Sequence, residues 1–252
     1  MITVFAKRAL LVLIGPAVFL FVAFVPVLCG HRPGFRGWFW RTVSRSCSWL
    51  LWLLSVRVEI SEADRAKLAC DTNSIIAVNH RSHLDGFSLL HVIPAEKWVT
   101  FGAKKELCDA ALLKRGFQGA GLLEIDRAQG RNALESLTAA VADMPARRSA
   151  ILFVEGTRAR HSGLAPFKAG CVLIARSTGR AIRPIVISGS DTLLPRGRIF
   201  PRKGTIRIDV LDQMDIPTCT ATCTDAALTD LRAAMVRTYD RATSRTGPVP
   251  RA

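Results

Sequence analysis

The sequence lacks the regular cysteine spacing of a disulfide-stapled or zinc-binding domain. Its seven cysteines are an odd number, and Cys219 and Cys223, the closest pair along the chain, have no further zinc ligands beside them. This pattern predicts unpaired thiols in a reducing compartment and no metal site. The sequence also lacks internal repeats and low-complexity linkers, which excludes repeat architectures.

Acidic residues are scarce: 20 Asp and Glu stand against 35 Lys and Arg, and the net charge is +15. A charge of this sign suits nucleic acid, or an anionic membrane surface and phosphate-bearing substrates. The sequence lacks a recognisable nucleic-acid-binding module, and four of its five tryptophans lie in the first 52 residues, next to apolar runs. The composition therefore predicts membrane lipids as partners, and no nucleic acid.

One uncharged run, Ala9 to Leu28, has the length of about 20 residues that spans a hydrocarbon core. Pro16 and Pro26 interrupt it, which leaves open whether it crosses the bilayer or dips into one leaflet. A cleaved secretory signal is disfavoured because no small-x-small pattern follows. We therefore predict a membrane anchor with interfacial helices over residues 1–60 and a second domain over residues 61–252.

Tryptophan and arginine alternate after this run, a mixture that suits the headgroup layer. The residues are Trp38, Trp40, Trp49 and Trp52, with Arg32, Arg36, Arg41 and Arg45. These arginines outnumber Lys7 and Arg8 before the run, so the positive-inside rule places the second domain in the cytoplasm. The predicted location is the inner (cytoplasmic) membrane.

Short apolar runs alternate with helical patterns over the rest of the chain. Strands are predicted at 74–78, 98–102, 121–126, 150–155, 182–188 and 205–211, and helices at 85–92, 132–144, 169–177 and 224–242. Such alternation predicts an α/β fold with a largely parallel sheet flanked by helices.

The first candidate site follows the first of these strands, in a block from Asn79 to Asp85 that contains His80. On a continuous helix His80 and Asp85 would point about 140° apart, but the predicted strand-to-helix turn between them lets them meet. A carboxylate near a helix start is favourably placed, and a histidine held by an aspartate is a general base at neutral pH. A capping or core role for either residue is the alternative.

A glycine-containing turn forms the second candidate site. Glu155, Gly156, Thr157 and Arg158 directly follow a predicted buried strand. The glycine lets backbone N–H groups approach an anion, and Arg158 can hold a phosphate by a bidentate fork. An ordinary strand-to-loop turn is the alternative.

Four further residues are candidates for binding substrate. Arg127 ends a predicted strand, Lys168 opens a predicted helix, and Lys105 follows the second strand. Pro184 interrupts an otherwise apolar strand, which indicates an edge, a bulge or a substrate-facing kink. For Arg127, a surface ion pair is the alternative.

Six blocks, in order, resemble those of the glycerolipid acyltransferases typified by 1-acyl-sn-glycerol-3-phosphate acyltransferase. They are Asn79-His80 with Asp85, Lys105-Glu106-Leu107, Ile125-Asp126-Arg127, Phe153 to Arg158, Phe167 to Gly170, and the strand around Pro184. The resemblance covers about Ser74 to Gly197. One departure is Val154, where the family has a proline, and we expect it to alter the rigidity of that turn.

The resemblance implies an O-acyltransferase that moves a fatty acyl chain directly from acyl-CoA or acyl carrier protein to a lysophospholipid, with no cofactor and no metal. His80 would be the base and Asp85 would orient it. The implied acceptor pocket comprises Arg127, Glu155, Gly156, Thr157 and Arg158. The cations predict 1-acyl-sn-glycerol-3-phosphate as acceptor. Lyso-ornithine lipid or another lysophospholipid is the alternative acceptor, and an inactive lipid-binding membrane protein is the alternative class.

Overall fold

The computed structural model describes most of the chain beyond residue 34. The described ranges are 24–30, 34–94, 97–104, 111–125, 131–145, 148–158, 163–216 and 221–245, together with Leu10, Ala17, Leu20, Phe21 and Arg32. In order, they contain α1 (Phe35–Leu53), β1 (Val56–Ile60), α2 (Glu62–Cys70), β2 (Ile75–Val78), α3 (Leu84–Val92), β3 (Trp98–Lys104), α4 (Ala111–Ala120), β4 (Leu123–Ile125), α5 (Arg131–Ala142), β5 (Arg148–Phe153), α6 (Gly170–Thr178), β6 (Ile182–Ser188), α7 (Ser190–Leu193), β7 (Gly204–Val210) and α8 (Ala221–Arg245).

A seven-stranded sheet in the order β1-β7-β6-β2-β5-β3-β4 lies at the centre of the fold. Among these strands, β6 and β7 are antiparallel and every other neighbouring pair is parallel. Strands β2 and β6 are buried along their whole length, as expected where helices cover both faces. The predicted α/β fold with a largely parallel sheet is therefore confirmed.

The two faces of the sheet bury two separate cores. Because successive strand residues point to opposite faces, Ile75 and Ala77 of β2 belong to one cluster, with side chains of α5, α6 and α8. Ile76 and Val78 belong to the other cluster, with side chains of α1, α2 and α3. The carboxyl end of β2 is thus fixed between two packed layers.

The N-terminal part of the chain is described only in part. Most of the predicted anchor, residues 9–28, lies outside the described residues, and its insertion in a membrane stays a prediction. Among the residues that are described, no helix is both long and apolar enough to cross a membrane. Residues 56–60, which fall before the predicted domain boundary, form β1 and pair in parallel with β7, so the sheet begins ahead of residue 61.

Helices α2, α4 and α7 are elements that the apolar pattern does not predict. The reason is clear for α2: it is largely polar, and Leu68 is its one buried side chain. Its start is set instead by a capping interaction, in which the Ser61 hydroxyl accepts a hydrogen bond from the backbone N–H of Asp64.

The prediction of unpaired cysteines is confirmed at four positions. Cys29, Cys47, Cys70 and Cys171 are free thiols. Cys223 is disulfide-bonded, and for that residue the prediction is wrong. Spacing along a chain does not reveal which sulfur atoms approach each other in space.

A buried ion cluster lies just ahead of the amino end of β2. The Asp71 carboxylate accepts hydrogen bonds from Ser74 Oγ at 2.7 Å and from Arg183 Nε at 3.1 Å, and it also pairs with Lys97. Burial disfavours the charged carboxylate, but the bonds from Lys97, Ser74 and Arg183 outweigh burial and hold the pKa of Asp71 below its ordinary value. Asp71 therefore neutralises two cations inside the fold.

We expect Asp71→Asn to lower the free energy of unfolding by about 3–5 kcal/mol, because it leaves two buried cations without their carboxylate. A lowered pKa contributes stability above the unfolded-state pKa that is lost as pH falls through the folded value. The difference between the variant and the wild type in urea denaturation should therefore shrink in acid. Glu59→Gln, at the exposed Glu59–Arg207 pair, is the control and should change stability by less than about 1 kcal/mol.

Candidate active site

Asn79 fixes the point at which the chain leaves β2. Its side-chain nitrogen donates to the backbone oxygen of Ile187 at 2.8 Å, and its side-chain oxygen accepts from the N–H of the same residue at 2.7 Å. Asn79 is fully buried. The side chain thus extends the pairing of β2 with β6 by one residue and sets where the next residue, His80, begins.

His80 and Asp85 meet across the turn, as predicted. His80 Nδ1 lies 2.9 Å from Asp85 Oδ2. The same oxygen accepts the backbone N–H groups of Arg81 at 2.6 Å and Ser82 at 2.8 Å. Asp85 is fully buried in the first turn of α3, where the helix dipole favours a negative charge.

The His80 ring is held on a second side by an aromatic contact. It stacks on the Phe153 ring with centroids 4.1 Å apart and an interplanar angle of 23°. The side chain is 21% exposed. With Nδ1 facing the carboxylate, Nε2 is the nitrogen left to take a proton from a bound hydroxyl group.

Glu155, two residues after β5 ends, positions this turn. Its Oε1 accepts the backbone N–H of His80 at 2.7 Å, and its Oε2 accepts the backbone N–H of Ala165 at 2.8 Å. Only 4% of Glu155 is exposed, and burial raises the pKa of its carboxyl group above the ordinary value although both hydrogen bonds oppose this. Each carboxylate oxygen thus holds one backbone N–H group, which is a positioning role. The resemblance instead assigns Glu155 to the acceptor pocket.

The turn after Glu155 carries the predicted cations. Gly156 has a positive φ of 69°, and a Cβ atom there would lie 2.8 Å from Lys168 Cε, so Lys168 packs directly against the glycine. Thr157 and Lys168 are exposed and Arg158 is half-buried. Burial and the positive charge of Arg158 lower the pKa of His83, three residues after His80, so Arg158 lies close to this turn.

The Val154 departure has a structural consequence. Its backbone N–H donates to the carbonyl oxygen of Val78 at 2.9 Å, and its carbonyl accepts the N–H of Lys168 at 2.8 Å. A proline at this position has no N–H to donate. Val154 therefore adds a bond between β5 and β2 that the family's usual residue cannot form.

Of the remaining three predicted substrate-binding residues, the structure places only Pro184, and it lies away from this group. Arg127 and Lys105 lie outside the described residues. Pro184 lies in β6, an interior strand, and not at a sheet edge. Its carbonyl accepts the N–H of Leu211, one residue after β7 ends, but Pro184 has no N–H to donate in return, so the pairing is incomplete at this end of β7. Pro184 lines a separate open pocket of about 590 Å³ with Lys67 and Arg237.

A buried contact that no sequence pattern indicates lies beneath the turn. Arg81 Nε donates to Asp191 Oδ2 at 3.0 Å, and the Arg81 guanidinium carbon lies 5.7 Å from the centre of the Tyr239 ring. Arg81 is 8% exposed. Its position inside the Asn79–Asp85 block was the available signal, whereas nothing in the sequence links Asp191 or Tyr239 to it.

Among the described residues, the thiol next to this group is not activated. Cys171, at the start of α6, approaches Lys168, but burial raises the pKa of its thiol to about 11. A thiol that stays protonated is a poor nucleophile. Within the described ranges, no group of three or more His, Cys, Asp or Glu side chains is placed to hold a metal ion.

The fold and the site together define an α/β protein in which a histidine and an aspartate are in contact at the carboxyl ends of the parallel strands. Residues 55–188, more than half of the chain, match the family model of the acyltransferases. The chain belongs to that acyltransferase family.

Similar proteins of established name support this placement. The 1-acyl-sn-glycerol-3-phosphate acyltransferase of Limnanthes douglasii is 30% identical over 161 residues, which are 63% of this chain and 52% of the plant protein. The protein of the same name from Salmonella typhimurium is 30% identical over 145 residues, 57% of this chain and 58% of that protein. The chain thus spans about half the length of these curated relatives.

The fold itself matches a crystal structure. PlsC, the 1-acyl-sn-glycerophosphate (LPA) acyltransferase of Thermotoga maritima, aligns with a TM-score of 0.72 and 20% sequence identity over 98% of this chain and 97% of that chain. The agreement shows that the two chains share the arrangement of helices and strands.

Replacing Glu155 by Gln should separate positioning from charge. Gln offers one acceptor oxygen, so one of the two backbone N–H groups loses its partner, and unfolding should become easier by about 1–3 kcal/mol. Turnover should fall by up to about 10²-fold if His80 moves by about 1 Å. Because burial raises the pKa of Glu155, the wild-type carboxylate protonates as the pH falls. The difference in turnover between the wild type and the variant should then narrow. Glu135→Gln, exposed on α5, is the control, and equal turnover in both variants would contradict this role.

Proposed function

We propose that this protein transfers a fatty acyl chain from acyl-CoA or acyl carrier protein to the free hydroxyl of 1-acyl-sn-glycerol-3-phosphate, giving phosphatidic acid in phospholipid biosynthesis. The observation that carries this proposal is the 2.9 Å contact between His80 Nδ1 and the buried Asp85 carboxylate, with Nε2 left free of that bond. Membership of the acyltransferase family and the names of the plant and bacterial relatives support it.

In the proposed reaction His80 is the general base. Nε2 takes the proton of the acceptor hydroxyl while the hydroxyl oxygen forms a bond to the thioester carbonyl carbon. Asp85 keeps the Nδ1 proton in place and stabilises the imidazolium that forms. The carbon–sulfur bond then breaks, and the imidazolium returns its proton to the departing thiolate.

Direct transfer is favoured over an acyl-enzyme intermediate. Cys171 is the described cysteine that contacts the Lys168 segment, and its buried thiol has a pKa of about 11. The reaction needs no redox step, and we propose that it uses neither a cofactor nor a metal. The acyl donor is the second substrate.

The acceptor assignment depends on cations near the base. Arg158 and Lys168 flank the Gly156 turn, and two or more cations suit a phosphate monoester, whose charge approaches −2. Lyso-ornithine lipid or another lysophospholipid remains the second candidate acceptor. An inactive lipid-binding protein is disfavoured because the base and its carboxylate are in contact.

We also propose that the protein works at the inner membrane with this site facing the cytoplasm. The uncharged run over residues 9–28 and the arginines that follow it support this location. The exposed Trp49 and Trp52 of α1 are also typical of a membrane interface.

His80→Ala should reduce acyl transfer by about 10²–10⁴-fold, the usual cost of losing a general base. His83→Ala is the matched control, because His83 lies in the same turn, is exposed and makes no contact with Asp85 resembling that of His80. Turnover is measured with purified enzyme, acyl-CoA and 1-acyl-sn-glycerol-3-phosphate. Near-normal turnover in the His80 variant would exclude it as the base.

Arg158→Ala should raise KM for 1-acyl-sn-glycerol-3-phosphate, since a charged hydrogen bond to a bound anion is worth about 1.5–3 kcal/mol. Arg158→Lys should recover part of the loss, because lysine lacks the planar fork. A panel of acceptors decides the substrate through kcat/KM. If lyso-ornithine lipid or lysophosphatidylcholine were preferred, the phosphate assignment would be wrong while acyl transfer itself would stand.

A further inference from the structure

A basic loop separates α7 from β7 and is not part of the site described above. We call residues 195–203 the basic loop. It carries Arg196, Arg198, Arg202 and Lys203 and contains no acidic residue. Residues 195–199 are all exposed, and Ile199 is the most exposed large hydrophobic residue among those described, at 85%. Clustered cations around an exposed aliphatic side chain are typical of a segment that contacts lipid.

The ends of the basic loop are fixed, so that it projects from the fold. The backbone N–H of Arg202 donates to the carbonyl oxygen of Leu193 at 2.8 Å, which closes the loop at its base. Gly197 turns the chain with a φ of 82°. The cations and Ile199 are therefore presented by a closed loop and not by a free chain end.

Two contacts join the basic loop to the active site. Ser82 Oγ, in the turn between His80 and Asp85, donates at 3.0 Å to the carbonyl oxygen of Leu194, the residue directly before the loop. Arg196 Nη2 donates to the carbonyl oxygen of Arg158 at 2.7 Å. The loop is thus adjacent to the base on one side and to the cationic turn on the other.

The far end of the basic loop adjoins the end of α1, the helix that carries exposed tryptophans. The N–H of Gly204 donates to the carbonyl oxygen of Ser55 at 3.3 Å, which places the loop's end next to the end of α1. In its last turns α1 carries Trp49, 37% exposed, and Trp52, 58% exposed. Tryptophan prefers the boundary between headgroups and acyl chains.

We propose that the basic loop docks on the surface of an anionic lipid bilayer and holds the active-site edge at the headgroup layer. The inference deepens the proposed function, since a lysophospholipid acceptor would then reach His80 from the bilayer beside it. An acidic carrier protein is another possible partner for cations, but the exposed Ile199 and the neighbouring tryptophans favour a partner with an apolar interior. Each basic residue near such a surface strengthens binding by roughly fivefold.

Trypsin cleavage of the full chain tests the contact without requiring activity. The protein is reconstituted in vesicles of phosphatidylcholine, or of phosphatidylcholine mixed with phosphatidylglycerol, and cleavage after Arg196, Arg198 and Lys203 is followed by mass spectrometry. Cleavage should be about tenfold or more slower in the anionic vesicles, and high salt should remove the protection. Cleavage after Arg241, exposed on α8, is the reference.

Equal cleavage of the basic loop in both kinds of vesicle would overturn the proposal. Protection that requires added carrier protein and ignores anionic lipid would also overturn it, in favour of a protein partner. Both results are independent of turnover.

A triple variant tests the consequence for catalysis. Arg198→Gln with Ile199→Ser and Lys203→Gln should lower turnover on acceptor in anionic vesicles by about tenfold or more, while turnover in detergent micelles stays unchanged. Arg232→Gln with Arg241→Gln removes exposed cations from α8 and should affect neither assay. Equal turnover of the triple variant and the wild type in anionic vesicles would contradict the docking role. Absence of wild-type turnover in micelles would instead refute the proposed function and leave the cleavage result to decide the loop.

Discussion

The site depends on one buried carboxylate oxygen. Asp85 Oδ2 is in contact with His80 Nδ1 and accepts hydrogen bonds from two backbone N–H groups, while Oδ1 has no hydrogen-bond partner among the described residues. A buried carboxylate is costly unless donors converge on it, so the chain from Arg81 to Asp85 must turn tightly. That turn brings His80 back over the start of α3. The interaction that orients the base is therefore the same one that makes the buried charge tolerable.

Around this oxygen the fold fixes the base through main-chain groups. Asn79, the residue after β2, is bonded to β6, and Glu155, two residues after β5 ends, accepts the N–H of His80. Because β2 lies between β5 and β6 in the sheet, the segment just after β2 is held from both sides. The orientation of His80 is thus set by the fold itself, as the proposed general-base role requires.

Sequence patterns predict those parts of this arrangement that are local. The apolar runs of β2, β5 and β6 identify the central strands, and the Asn79–Asp85 block identifies the pair. The contact of Arg81 with Asp191 is not predictable in this way, because the two residues are 110 positions apart and meet only when α7 packs beside the turn. The antiparallel direction of β7 is likewise not specified by the alternating pattern of that strand.

The role of Glu155 shows a different limit. Its position after a buried strand indicates a functional turn, but the pattern does not say whether the carboxylate faces substrate or backbone. Glu155 is only 4% exposed and accepts two backbone N–H groups, so in the structure its carboxylate faces the backbone.

The two edges of the sheet use their positive charge differently. Ahead of the amino end of β2, Lys97 and Arg183 are compensated by the buried Asp71. At the carboxyl edge, Lys168 and Arg196 are exposed and Arg158 is half-buried. The net charge of +15 is therefore not a uniform solvated surface, because part of it neutralises the interior and part is presented beside the base.

Val154 indicates how the cationic turn keeps its shape without the family's proline. A proline would restrict the backbone through its ring, whereas Val154 donates its N–H to Val78 and accepts the N–H of Lys168. Val154 is also 2% exposed, so its side chain packs in the core beneath the turn. Hydrogen bonding and burial thus supply the order that a ring would supply, and Gly156 and Lys168 keep their close contact. The contact of His80 with Asp85 is formed with valine at this position, so the proline is not needed to bring the two residues together.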